Sequence, residues 1–158
     1  MLQQKFSKVR VDHRLTLGKN ATLVLEAGSE IQGFGTGNVV TNTALGTDAL
    51  QLNTTGANNT AVGYQSLDAN TIGDGNTAVG SAALGANTTG ANNTAVGYGA
   101  LDVNTIGDSN VAVGMNAMGA NTTGVNNTAV GRSALLTNTV GTGNTAVGAT
   151  ALDALTTG

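Results

Sequence analysis

A 17-residue unit repeats without insertion through most of this sequence. The motif NTALG begins at Asn42, and its relatives begin at Asn59, Asn76, Asn93, Asn110, Asn127 and Asn144. A Leu or Met follows each of these asparagines by eight residues. An Asn-Thr-x-Gly turn comes next in every copy but the last, where Leu155 replaces the Asn. A fixed period of this length is typical of solenoids, in which each repeat forms one coil.

The repeat predicts strand rather than helix. Each copy carries glycine at two fixed places beside many Thr and Val residues, and an amphipathic helical period is missing. In Thr60-Ala61-Val62 alternate side chains point to opposite faces, so Thr60 and Val62 share a face. We therefore predict an all-β fold with two parts: a short β-rich attachment segment at residues 1–36, and a parallel β-solenoid of seven 17-residue coils at residues 37–158.

The large aliphatic residues of each coil are the predicted core. We expect the strand Val and the later Leu or Met to point inward, and the small strand residues such as Ala61 to let neighbouring chains approach closely. The predicted core residues are Val62, Leu67, Val79, Leu84, Val96, Leu101, Val113, Met118, Val130, Leu135, Val147 and Leu152. Two such residues per coil do not offset the entropy of ordering a coil, so stacking and neighbouring chains must contribute.

Charge separates the two parts. Residues 1–36 hold five Lys or Arg against three acidic residues, a balance of +2, whereas residues 37–158 hold Arg132 against six Asp, a balance of −5. The repeats therefore lack the basic patch that nucleic-acid binding requires. No segment has the apolar length of a signal peptide or a membrane span, so neither export nor membrane insertion is expected.

Catalytic residue types are scarce. The one His is His13, Cys is absent, and no Glu follows Glu30, so a nucleophile, base and acid set inside the repeats is excluded. We predict neither an enzyme nor a cofactor. The acidic residues beside the two NTIG turns are weak calcium candidates, with turn fixation as the alternative; they are Asp68, Asp74, Asp102 and Asp108.

Two further patterns bear on binding. LDANTIGD at 67–74 returns as LDVNTIGD at 101–108, so successive coils are of two kinds. The position after the strand glycine varies most, and it holds Tyr64, Ser81, Tyr98, Met115, Arg132 and Ala149. Tyr, Met and Arg are enriched at recognition surfaces, so Tyr64, Tyr98, Met115 and Arg132 are receptor-contact candidates. The alternative is a solvated surface or a contact between chains.

The repeat resembles the head repeats of trimeric autotransporter adhesins, the YadA-like family, whose unit centres on an NSVAIG-type motif. The nearest internal match is SNVAVG at 109–114, five other copies contain NTAVG, and the first copy contains NTALG. Similar NTAVGYxAL arrays occur in phage tail and virion fibres. This resemblance implies a left-handed parallel β-roll, three chains around one axis and an adhesive role.

These observations together favour a structural fibre protein on the surface of a phage virion, in a tail or capsid fibre, that acts in host attachment. We expect a homotrimer that docks on other virion proteins through residues 1–36 and presents its repeats to a host surface receptor. The head of an adhesin on a bacterial cell surface is the alternative. It is less favoured than the phage fibre because an exported adhesin requires a signal peptide, and none is visible in the sequence. An ice-binding solenoid is the alternative from another class, because one Thr column is uninterrupted: Thr54, Thr71, Thr88, Thr105, Thr122, Thr139 and Thr156.

Overall fold

The computed structural model describes residues 41–157, and it confirms the all-β solenoid of 17-residue coils. The strands are β1 (Thr43–Leu45), β2 (Thr60–Val62), β3 (Thr77–Val79), β4 (Thr94–Val96), β5 (Val111–Val113), β6 (Thr128–Val130) and β7 (Thr145–Val147). Each strand pairs in parallel with the next, in the order β1 to β7. The predicted attachment segment at residues 1–36 lies outside the described residues.

The pairing register follows the repeat. Equivalent residues lie opposite one another in every pair, as Thr94 lies opposite Val111 between β4 and β5. We number the coils 1 to 7 from their first asparagines, Asn42 to Asn144, and count the positions within a coil from that Asn. The strand is then positions 2 to 4. Neighbouring coils are one strand spacing apart, about 4.8 Å.

Alanine side chains and side chains that are not branched at Cβ form the apolar interior of the stack. Ala at positions 3 and 8 and Leu or Met at position 9 form one continuous buried cluster. The inward prediction is confirmed for the position 9 residues of coils 2 to 6, which are fully buried: Leu67, Leu84, Leu101, Met118 and Leu135. Leu152 of coil 7 is 52% exposed, because no described coil covers it.

The inward prediction for the strand Val residues is wrong. Ala61, Ala78 and Ala95 are fully buried, while the flanking Val side chains point outward. Val79, Val96, Val130 and Val147 are exposed, and Val62 and Val113 are half-buried. The reason is space: the interior also receives the position 9 side chain and two asparagines, so the strand has room for only a methyl group on its inner side. The small strand residues therefore face their own chain rather than a neighbouring one.

Two columns of buried asparagine stabilise the stack through side-chain hydrogen bonds. At position 1, the backbone N–H of Asn76 donates to Oδ1 of Asn59 at 2.9 Å, and Nδ2 of Asn76 donates to the Gly90 carbonyl at 2.8 Å. At position 12, Nδ2 of Asn87 donates to Oδ1 of Asn70 at 2.9 Å. Because each amide bonds to an equivalent residue one coil away, the polar groups are satisfied only when coils stack in this register.

Glycine at position 5 is required by close backbone approach. Gly97 has φ of 131°, and a Cβ there would lie 2.7 Å from the carbonyl carbon and oxygen of Gly114 in the next coil. We expect Gly97→Ala to lower the free energy of unfolding by at least about 2 kcal/mol, from backbone strain and displacement of the next coil. Denaturant unfolding followed by circular dichroism measures this.

The matched control for that substitution is Gly99→Ala in the same coil. Gly99 has φ of 61°, and Ala82 adopts φ of 57° at the equivalent position one coil earlier. A Cβ on Gly99 would lie 2.6 Å from the side-chain Oδ1 of Asn116, and it would meet the end of a side chain rather than the backbone of the next coil. We expect the control to lose less than about 1 kcal/mol. Equal losses in the two variants would contradict the account of position 5.

Candidate binding surface

The outer side of the seven strands forms an uncharged surface, which we call the Thr/Val face. It consists of positions 2 and 4 of every coil, which hold Thr43, Leu45, Thr60, Val62, Thr77, Val79, Thr94, Val96, Val111, Val113, Thr128, Val130, Thr145 and Val147. Its Val column is one-third exposed or more at Val79, Val96 and Val130, and the face contains no charged residue. Continuous exposed apolar surface on a folded protein marks a contact with a partner.

A second exposed column, which we call the recognition stripe, runs beside this face at position 6. It holds Thr47, Tyr64, Ser81, Tyr98, Met115, Arg132 and Ala149. Tyr64 is 53% exposed, Tyr98 is 62% exposed, and Arg132 is also exposed. The structure therefore brings the four receptor-contact candidates together along one line.

Coils 2 and 4, which contain the NTIG turns, bond to the coils before them through an Asp side chain at position 16. The backbone N–H of Ala57 donates to Oδ1 of Asp74 at 2.7 Å, and the N–H of Ala91 donates to Oδ1 of Asp108 at 2.7 Å. The Asp belongs to an even-numbered coil, and the amide belongs to the odd-numbered coil before it. Asp74 and Asp108 thus each accept a hydrogen bond from a backbone amide of the preceding coil and connect the turns of neighbouring coils.

At position 10, a large and a small residue alternate in coils 2 to 5, as Asp68, Gly85, Asp102 and Gly119. The carboxylate of Asp102 in coil 4 lies close to Gly85 in coil 3. A Cβ on residue 85 would be only 2.9 Å from the Asp102 Oδ1, so glycine leaves room for this carboxylate. Burial raises the pKa of Asp102. Burial also raises the pKa of Asp68, with a smaller contribution from the negative charge of Asp48. Oδ1 of Asp68 is buried and accepts no hydrogen bond from the described residues.

The raised pKa of Asp102 predicts a pH dependence of stability. Because the folded state binds this proton more tightly than the unfolded chain, its contribution to stability is fully present below the ordinary pKa of 3.8 and is lost as the pH rises through the raised value. Asp102→Asn removes this titration. We expect the unfolding free energy of the variant to fall less with rising pH over that window than that of the parent, in urea titrations at a series of pH values. An unchanged slope would contradict the assignment.

The Thr column at position 13, on which the ice-binding alternative rested, is engaged within the stack. Oγ1 of Thr71 donates to the Thr88 carbonyl at 2.9 Å, and Oγ1 of Thr88 donates to the Thr105 carbonyl at 3.0 Å. The same bond recurs from Thr54 to Thr139. These hydroxyl protons are donated to carbonyl groups of the neighbouring coil.

Few groups suited to catalysis or metal binding lie in the described part. His13 is outside it, and among residues 41–157 no three His, Cys, Asp or Glu side chains gather into a group that could hold a metal ion. The four Asp candidates are therefore divided between positions 10 and 16 of two coils. Across the same residues, no helix is long and apolar enough to cross a membrane.

Sequence reasoning placed the recognition stripe and missed the Thr/Val face as a surface. Alternation shows which residues share a face, but it does not show which face is inside. A usable signal was present in the repeat itself: position 3 is Ala in all seven coils, whereas positions 2 and 4 accept Thr, Val or Leu.

Comparison of the chain with protein-family models, with curated proteins and with solved structures found no match in any of the three.

Proposed function

We propose that this chain is a structural fibre protein of a phage virion that acts in host attachment and works as a homotrimer. The observation that carries the proposal is the Thr/Val face, which is uncharged and carries a continuous column of Leu and Val along seven coils. Six strand spacings give it a length of about 29 Å. A face of this kind supports association of identical chains along their whole length, which is the geometry of a fibre.

Three copies placed around one axis, each turning its Thr/Val face inward, would remove the Val columns from water. This contact differs from the one expected from the sequence, because the strand Ala residues are buried within their own chain. In this arrangement the Val side chains of position 4, rather than the strand Ala residues, form the contact between chains. Their near-constant size supports a uniform approach along the axis, since Val occupies position 4 in six of the seven coils.

The recognition stripe supports the attachment role. Its residues vary from coil to coil while the core positions repeat, so the fold does not dictate them. The proposal assigns host contact to this stripe, and assigns docking on other virion proteins to residues 1–36.

Immunogold electron microscopy with antibodies against residues 41–157 tests this function. Labelling of fibres that project from virions is the expected result. Labelling of the bacterial surface in the absence of particles would support the adhesin alternative and overturn the virion assignment. Thermal hysteresis of the purified protein tests the ice-binding alternative, and we expect none because the position 13 hydroxyls are already bonded within the stack.

A further inference from the structure

The two tyrosines of the recognition stripe lie two coils apart. Tyr64, Tyr98 and Arg132 occupy position 6 of coils 2, 4 and 6, while the coils between them carry Ser81 and Met115. Two strand spacings separate successive members of the first set, about 9.6 Å. Both tyrosines are more than half exposed.

The backbone holds this spacing rigidly. The carbonyl of Tyr64 accepts the N–H of Ala82 at 2.9 Å, the carbonyl of Ser81 accepts the N–H of Gly99 at 3.0 Å, and the carbonyl of Tyr98 accepts the N–H of Asn116 at 2.9 Å. Each stripe residue is thus bonded directly to the next coil. The backbone positions of the two tyrosines are therefore fixed before a ligand binds, and no backbone ordering is required on binding.

An extended β-1,4-linked glycan has a matching period. Successive sugars in such a chain are turned over, so the same sugar face returns at every second unit, and two sugars span about the length of two coils. Sugar rings present apolar C–H faces that pack on aromatic side chains, while hydroxyl groups at the ring edge bond to polar neighbours. The stripe offers aromatic rings at the two-sugar period with Ser81 between them.

The stripe suits a linear glycan better than a protein receptor. A stable protein contact buries roughly 800 Å² on each partner, whereas a single column of side chains offers a narrow line. The negative charge of residues 37–158, one Arg against six Asp, disfavours a polyanion. An uncharged chain agrees with both observations.

We propose that the recognition stripe binds an extended, uncharged β-1,4-linked glycan along the coil axis, with Tyr64 and Tyr98 packing on alternate sugars and Arg132 donating hydrogen bonds two sugars further on. This inference rests on the proposed attachment function and names the class of receptor.

Isothermal titration calorimetry of the full chain with cellohexaose and chitohexaose is the test. Maltohexaose, which is α-linked and curved, is the control for period, and a hyaluronan hexasaccharide is the control for charge. Binding of a β-1,4-linked hexasaccharide is expected, with Tyr64→Ala and Tyr98→Ala each weakening it by about tenfold or more. Tyr64→Phe and Tyr98→Phe should stay within about twofold of the parent, because the ring is kept.

A register variant makes the test specific to the period. Tyr98→Ser combined with Met115→Tyr keeps two tyrosines on the stripe but separates them by three coils. We expect its affinity to fall to that of Tyr98→Ala. Parent-like affinity of this variant, binding of hyaluronan alone, equal binding of maltohexaose, or no binding of either β-linked hexasaccharide would each overturn the inference. Light scattering on the same samples separates the two proposals: an intact trimer that binds no glycan overturns only the glycan inference.

Discussion

Replacing Ala95 by Asp is expected to unfold the central coils of the stack. Ala95 is fully buried in coil 4 as part of the apolar cluster, and the buried side-chain amide of Asn93 in the same coil already donates to the Gly107 carbonyl. Burying an unpaired carboxylate costs several kcal/mol, a large fraction of the stability of a small domain. Because each coil is stabilised only by its neighbours, loss of coil 4 separates the stack into two shorter ones. Loss of the cooperative unfolding transition in circular dichroism is the expected result.

The neighbouring substitution Val96→Asp is the matched control, since it introduces the same charge one residue along. Val96 lies on the Thr/Val face and is 36% exposed, so a carboxylate there remains hydrated in a single chain. We expect the coil to stay folded and self-association to be lost, because three negative charges would meet around the axis. Unfolding of Val96→Asp with a parent-like spectrum for Ala95→Asp would reverse the assignment of inner and outer faces.

Replacing Asn87 by Leu is expected to lower the free energy of unfolding by about 3 kcal/mol or more. The side chain of Asn87 donates to Oδ1 of Asn70 and to the Gly90 carbonyl, and its own Oδ1 accepts from Nδ2 of Asn104 at 2.9 Å. Leu leaves buried amide groups on both neighbouring coils without partners, at about 1 to 3 kcal/mol for each. Denaturant unfolding measures the loss.

Asn138→Leu provides the comparison at the end of the same column. Oδ1 of Asn138 accepts no hydrogen bond within the described residues, and its two donated bonds are longer, both at 3.3 Å. The sequence itself places Leu at this position in the next coil, as Leu155. We expect the end variant to lose less than half as much stability as Asn87→Leu. Equal losses would mean that the column does not act through coil-to-coil bonding.

The architecture was predictable because the repeat is exact in length. A constant 17-residue period fixes a parallel register, since each residue must lie beside its equivalent in the next coil. Leu at position 9 was correctly placed inside because of its large aliphatic side chain. The same argument failed for Val at position 4, which is also aliphatic in every coil and faces outward. Variation at position 6 indicated an outer position, because the fold does not dictate a residue that changes from coil to coil.

The Asn-Thr-x-Gly motif predicts a turn at position 12, because Asn and Gly favour turns locally. Both asparagine columns are buried, because a stack of equivalent amides satisfies its own hydrogen bonds and needs no water. This bonding exists only between coils, so the local sequence of one coil does not reveal it.

Nothing in the sequence predicted the left-handed backbone conformation at position 9. Leu101 has φ of 52°, in the left-handed region that bulky residues avoid, and the other position 9 residues share it. Local preference would place glycine there. Packing of the buried side chain, repeated along the stack, outweighs the backbone cost.

The mass of the purified chain in solution tests the central claim most directly. Multi-angle light scattering of the parent at micromolar concentration should give three times the 15.5 kDa chain mass, and the folded Val96→Asp variant should give the mass of one chain. A parent protein that is folded and monomeric at that concentration would contradict both the role of the Thr/Val face and the proposal of a fibre.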